Sequence, residues 1–170
     1  FFDGKLETIY SLSHSTEVKD RGTTFFTLGN KYENKNLTLM YDFHYSYEEI
    51  DTKGIVTSVT SDEVIAENVT YIENWFRGKY RINPKFEGLL TLMTSSAYDN
   101  AETGKDHIRT SYGIIPTVYY SPFKDLNVKF YFAYIGRYYD YSDYAINELG
   151  ASSFNKNEVR IGFIAPLLLL

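Results

Sequence analysis

From Leu37 to Glu48 the chain reads LTLMYDFHYSYE: Leu37, Leu39, Tyr41, Phe43, Tyr45 and Tyr47 fall on one side, Thr38, Asp42, His44, Ser46 and Glu48 on the other. A period of two is the signature of a pleated strand, whose successive side chains point to opposite faces. The same rhythm predicts strands at Lys5 to Ser13, Thr23 to Tyr32, Leu37 to Glu48, Tyr71 to Ile82 and Phe86 to Tyr98. Three more follow, at His107 to Ser121, Leu126 to Tyr139 and Asn157 to Pro166. Most exceed the ~5 to 6 residues usual in soluble sheets and match the ~9 to 11 that a tilted strand needs to cross a bilayer. No stretch approaches the ~18 consecutive apolar residues of a membrane helix.

The predicted connections alternate in kind. Glu33 to Asn36, Asn83 to Lys85 and Pro122 to Asp125 read as tight polar turns. His14 to Gly22, Glu49 to Thr70, Asp99 to Asp106 and Asp140 to Lys156 read as longer polar loops, the second with a hairpin extension around Ile55 to Thr60. Short turns on one side and long loops on the other describe bacterial outer-membrane barrels. Loops are then extracellular and both termini periplasmic. With no linker or tandem repeat, residues 1–170 read as a single β-barrel domain or barrel half.

Charge sharpens this picture. The face carrying Leu6, Tyr10, Phe26, Leu28, Phe76, Leu90, Leu92, Ile108, Tyr112, Ile114, Val118, Phe130, Phe132, Val159 and Ile161 holds no Asp, Glu, Lys or Arg along any strand. A charge at the bilayer midplane costs ~2 to 4 kcal/mol, which would keep such a face clean. The opposite face holds Lys5, Lys31, Arg77, Lys79, Arg81, Arg109, Lys129, Arg137 and Arg160 against Glu7, Asp42, Glu48, Glu73, Glu87 and Glu158, nine basic to six acidic, net +3. So many ionised groups require water or dense pairing. Tyr45, Tyr47, Tyr112, Tyr134 and Tyr138 gather toward the loops, and Tyr32, Tyr80, Phe86 and Tyr120 toward the turns, as in the aromatic girdles of membrane barrels. Pro116, on the apolar face, predicts a bulge or defect in the sixth strand.

Composition removes several chemistries. The chain has no cysteine, so disulfides, thiolate metal sites and thiol nucleophiles are excluded, and a net charge of −5 argues against nucleic-acid binding. It does not begin with Met, which suggests a processed form or part of a longer chain. His14, His44 and His107 form no recognisable ligand set, and His44, mid-strand on the polar face, reads as a hydrogen-bonded histidine. Ser11, Ser95 and Ser111 face inward without a GxSxG elbow, so no enzyme and no cofactor is expected. Arg77, Lys79 and Arg81 recur every second residue as a basic ladder. It serves either to guide anions or to pair with Glu73, Glu87 and Glu158 as wall structure.

The segments FYFAYIGRYYDYSD, Phe130 to Asp143, and VRIGFIAPL, Val159 to Leu167, resemble the last strands of Bacteroidota members of the phosphate-selective porin O and P family. That resemblance implies a sixteen-stranded, usually trimeric, passive channel preferring anions, with this chain as its C-terminal half and Arg137 and Arg160 at basic wall positions. Independently, eight strands alone enclose an interior filled by side chains, whereas sixteen leave a channel; the inward Lys and Arg with Tyr119, Tyr131 and Tyr139 would crowd the smaller barrel. The reading is an all-β, antiparallel up-and-down transmembrane β-barrel, eight strands here and part of sixteen. It is a porin for small hydrophilic, chiefly anionic solutes. Lys31, Arg77, Lys79, Arg81, Arg109, Lys129, Arg137 and Arg160 line the pore and meet the anions. Its partners are outer-membrane lipid and lipopolysaccharide, small anionic solutes and two further copies in a homotrimer. A complete eight-stranded barrel that anchors or adheres without conducting, and a soluble lipocalin-like binder with its apolar face inward, are the alternatives.

Overall fold

The alternation becomes a sheet of eight long antiparallel strands in a computed structural model that describes residues 4–18, 21–50, 56–57, 64–65, 68–99, 106–123 and 128–165. These are β1 (Lys5–Val18), β2 (Arg21–Glu33), β3 (Leu37–Ile50), β6 (Asn68–Asn83), β7 (Phe86–Asp99), β8 (Asp106–Tyr120), β9 (Lys129–Tyr141) and β10 (Phe154–Ile164). Two short strands, β4 (Val56–Thr57) and β5 (Val64–Ile65), pair separately between β3 and β6, where the hairpin extension is expected. The main sheet runs β1-β2-β3-β6-β7-β8-β9-β10, so each strand pairs with its sequence neighbour in the sheet, up and down.

Several boundaries differ from the sequence reading. β1 and β2 pair as far as Val18 with Arg21, so most of the expected loop from His14 to Gly22 is strand. In this stretch nearly all residues are polar, which erases the alternation, while the backbone ladder continues because its N–H and C=O groups still need partners. β9 begins at Lys129 rather than Leu126, which lies outside the described residues, as does Pro166; β10 begins earlier, at Phe154. At Pro116 the β8–β9 ladder skips from Ile114–Gly136 to Thr117–Ala133 without a change of register. The missing N–H therefore opens a gap, not a bulge.

Registers place the uncharged positions on one continuous face. Leu6–Tyr32, Leu28–Phe43, Tyr41–Phe76, Phe76–Leu92, Leu92–Ile114, Val118–Phe132 and Phe132–Ile161 are directly opposed pairs across the eight strands. This face is open to the surroundings, with Tyr10 at 77%, Ile161 at 79% and Phe132 at 50% of full exposure. In the middle of the sheet the opposite face is shielded: along β7, Glu87, Thr91, Met93, Ser95, Ala97 and Asp99 are buried while Leu90 and Leu92 between them are exposed. Phe25 on β2 and Arg109 on β8 line one recess although three strands separate them in the sheet, so the sheet curls with its ionised face inside. The soluble alternative, with the apolar face inward, is opposite to this arrangement.

Polar side chains on the outer face are paired across strands. The Thr8 hydroxyl donates to Asn30 Oδ1 at 2.9 Å, Tyr41 Oη to Asn74 Oδ1 at 2.7 Å, Asn74 Nδ2 to Thr94 Oγ1 at 3.4 Å, and Tyr134 Oη to Asn157 Oδ1 at 2.6 Å. Hydrocarbon offers no substitute partner, so such satisfaction is what a lipid-facing surface requires.

At the loop end the inner face becomes apolar and receives the chain between β9 and β10. There the sequence reading places only a polar loop, but Asp143–Leu149 forms a helix, α1. Ser142 caps it, its side chain accepting from the Ala145 N–H at 3.2 Å, and Gly150 ends it at φ 69°, a left-handed conformation that glycine adopts without strain. Ala145 and Ala151 pack with Val69, Ala97, Ile108, Tyr139 and Tyr141. Ile108, assigned by alternation to the outer face, is 1% exposed in this cluster, because the register shifts beside it between Ala97 and Tyr98. A bulge of this kind re-aims the side chain that the period of two would have turned outward.

Candidate functional site

The inner wall is built from alternate residues of every strand, and its ionised groups are arranged in layers. Nearest the tight turns, Glu87 is 8% exposed and lies between two lysines, Lys79 Nζ at 3.1 Å and Lys129 Nζ at 3.5 Å. Arg81, Lys35, Lys85 and Lys129 line a recess of about 580 Å³ around it. Lys31, opposite Glu7 in the β1–β2 register, pairs with Glu33 at 2.5 Å. Higher up, Arg77 is ion-paired with Asp42 across β3 and β6. Arg160 makes a two-point contact with Glu158 on its own strand, Nε at 2.5 Å and a terminal nitrogen at 3.0 Å.

Toward the loops lie Arg137, half-buried on β9, and Arg109, 7% exposed, with its guanidinium 5.4 Å from the Tyr139 ring centre. Cation–π contact of this kind holds an arginine against the wall. His44 Nδ1 is 3.2 Å from the Thr27 hydroxyl, the hydrogen-bonded histidine that the sequence suggests. Tyr131 lies over Gly162, where an added Cβ would meet its ring at 2.8 Å, so the glycine makes room for a large inward tyrosine. Above them Tyr144 of α1 donates to Asp99 Oδ2 at 2.9 Å, and burial and then this bond push its phenol up to about 12.

The eight basic residues singled out in the sequence thus share one face but not one cluster. The ladder partners expected from sequence are right for Lys79 with Glu87 only. Arg77 takes Asp42, Glu158 takes Arg160, and Glu73 accepts from Trp75 Nε1 at 3.3 Å. Alternation identified the face, but partner choice depends on register between strands, which no single strand encodes. The double role of Glu87 and the inward-packed α1 are missed for that reason. Ser142, Asp143 and Gly150 do carry a cap-and-stop signal for the helix. Among the described residues no group of His, Asp and Glu could hold a metal, and no helix is long and apolar enough to cross a membrane.

A curled antiparallel sheet with an uncharged, open outer face and an ionised inner face has the pattern of an outer-membrane barrel wall. The chain belongs to the phosphate-selective porin O and P family, whose model it matches over residues 1–164. No curated protein and no solved structure matches it.

Proposed function

We propose that this chain forms half the wall of a sixteen-stranded channel through which small hydrophilic solutes, anions above cations, diffuse passively across the outer membrane. The observation that carries the reading is the segregation of charge: none on the open face between the two ends of the sheet, and Lys, Arg, Asp and Glu, several of them ion-paired, on the opposite one. The two ends of the sheet, β1 and β10, each have one strand neighbour, whereas a complete eight-stranded barrel would pair them with each other. Free edges call for further strands, and the bulky inner residues need the larger circumference. Net positive charge on the inner face, and the lysines and arginine around the turn-side recess, favour anions as basic pore linings do.

In this reading Lys31, Arg77, Lys79, Arg81, Arg109, Lys129, Arg137 and Arg160 line the path, the loops face outward and the termini face the periplasm. The barrel sits among lipid and lipopolysaccharide as a homotrimer. Reconstitution of the intact barrel in a planar bilayer tests it. Steady conductance with a reversal potential on the anion side of zero in a KCl gradient is expected; cation selectivity removes the anionic claim, and absence of conductance removes the channel. Light scattering of the detergent-solubilised protein checks the trimer.

A further inference from the structure

A second recess on the inner wall, about 350 Å³, lies toward the loop end and is lined by Phe25, His44, Ser46, Tyr71, Glu73 and Arg109. It follows from register. Phe25 faces Ser46, Ser46 faces Tyr71, and His44 faces Glu73 in adjacent strands. The next strand contributes only Ser95 and Ala97, opposite Glu73 and Tyr71, and beyond them Arg109 faces Ala97. Two small residues thus leave a floor between a carboxylate on β6 and a guanidinium on β8, two strands across and two residues along, whose backbones stand about 12 Å apart.

We infer that this recess is a binding site for a small zwitterion of the α-amino-acid type. Its ammonium faces Glu73, its carboxylate faces Arg109, and its side chain rests on Phe25 and Tyr71. A carboxylate and an ammonium on one carbon, each with a hydrogen-bonded partner, span about 9 Å, which fits within the ~12 Å between the two backbones. Opposite charges on opposite walls distinguish this recess from the turn-side one, where cations outnumber the single carboxylate. Among the described residues Glu73 has no ion-pair partner, and its bond to Trp75 leaves acceptor capacity for an ammonium. His44 and Ser46 offer further polar atoms between the two poles. The site's place in a solute path rests on the channel reading; the binding chemistry does not.

Trp75 is the chain's one tryptophan, and its indole donates to Glu73 at 3.3 Å, so its emission reports directly on that carboxylate. The folded protein in detergent micelles is titrated with L-leucine, with leucinamide, which keeps only the ammonium, and with N-acetyl-leucine, which keeps only the carboxylate. Leucine is expected to give a saturable change with a Kd about tenfold below either analogue, since each lost charge-assisted bond is worth ~1.5 to 3 kcal/mol, or tenfold and more. Glu73→Gln, isosteric and partly exposed, abolishes the preference for leucine over N-acetyl-leucine. Equal affinity for all three ligands, tighter binding of N-acetyl-leucine by the unaltered protein, or a response that never saturates overturns the inference, and the three-ligand comparison decides even where the variant does not fold. A protein that binds leucine yet does not conduct would retain this site and lose the channel; one that conducts without discriminating among the ligands would do the reverse.

Discussion

Ile114 and Ile115 are adjacent in β8 and face opposite ways, which makes them a direct probe of where the lipid lies. Ile114 is on the open face, 46% exposed, between Leu92 and Gly136; Ile115 is on the inner face opposite Thr91. Ile114 stands six residues from Tyr120 at the turn end of the strand, about 20 Å along it at ~3.4 Å per residue. A tilt of ~40° turns that into about 15 Å of depth, near the middle of an apolar band ~25 Å tall. Ile114→Lys therefore places an ammonium close to the midplane and should destabilise the barrel by ~2 to 4 kcal/mol, whereas Ile115→Lys, in the wet interior, should change stability by about 1 kcal/mol or less. Urea unfolding from phosphatidylcholine vesicles measures both. With a slope of ~2 kcal/mol per molar, the first substitution lowers the midpoint by about 1.5 M and the second by under about 0.5 M. Equal losses, or a larger loss for Ile115→Lys, would refute the assignment of faces and with it the membrane wall.

Three further outcomes follow from named contacts. Tyr41→Phe removes the donor that reaches Asn74 at 2.7 Å and should lower stability by about 1 kcal/mol in the same vesicle titration; no change would mean that Asn74 finds water there. Glu87→Gln leaves Lys79 and Lys129 without their shared carboxylate. Both lysines are about one-third exposed and can turn to water, so the loss is ~1 to 2 kcal/mol rather than that of a sealed ion pair, while the reversal potential moves further toward anions. Tyr144 is held neutral by burial and by Asp99, which raise its phenol from 10.0 to about 12. Its contribution is therefore complete below pH ~10 and lost as pH rises toward 12, about 1 kcal/mol after solvent screening. Thermal unfolding of the native protein relative to Tyr144→Phe between pH 8 and 11.5 should show that difference closing, and a constant gap would contradict it.

The sequence by itself determined the long strands and, through most of their length, which face of each is uncharged and open. A period of two and the exclusion of charge are local properties, written in consecutive residues such as Leu37 to Tyr47 or Phe130 to Tyr134, and they hold whatever the neighbouring strand does. It also contained enough of the family's closing strands for the resemblance to be drawn, which the match over residues 1–164 upholds. Only the tertiary structure decided how the inner wall is wired. Asp42 meets Arg77, Glu87 is shared by Lys79 and Lys129, and Glu73 and Arg109 come to line one recess because strand pairing gathers them there. The same holds at the loop end, where polar residues on both faces hide the alternation and the shift at Ala97 turns Ile108 inward beneath α1. Side-chain direction along a strand is fixed by backbone geometry, but partnership across strands depends on long-range pairing, and that pairing exists only in the folded sheet.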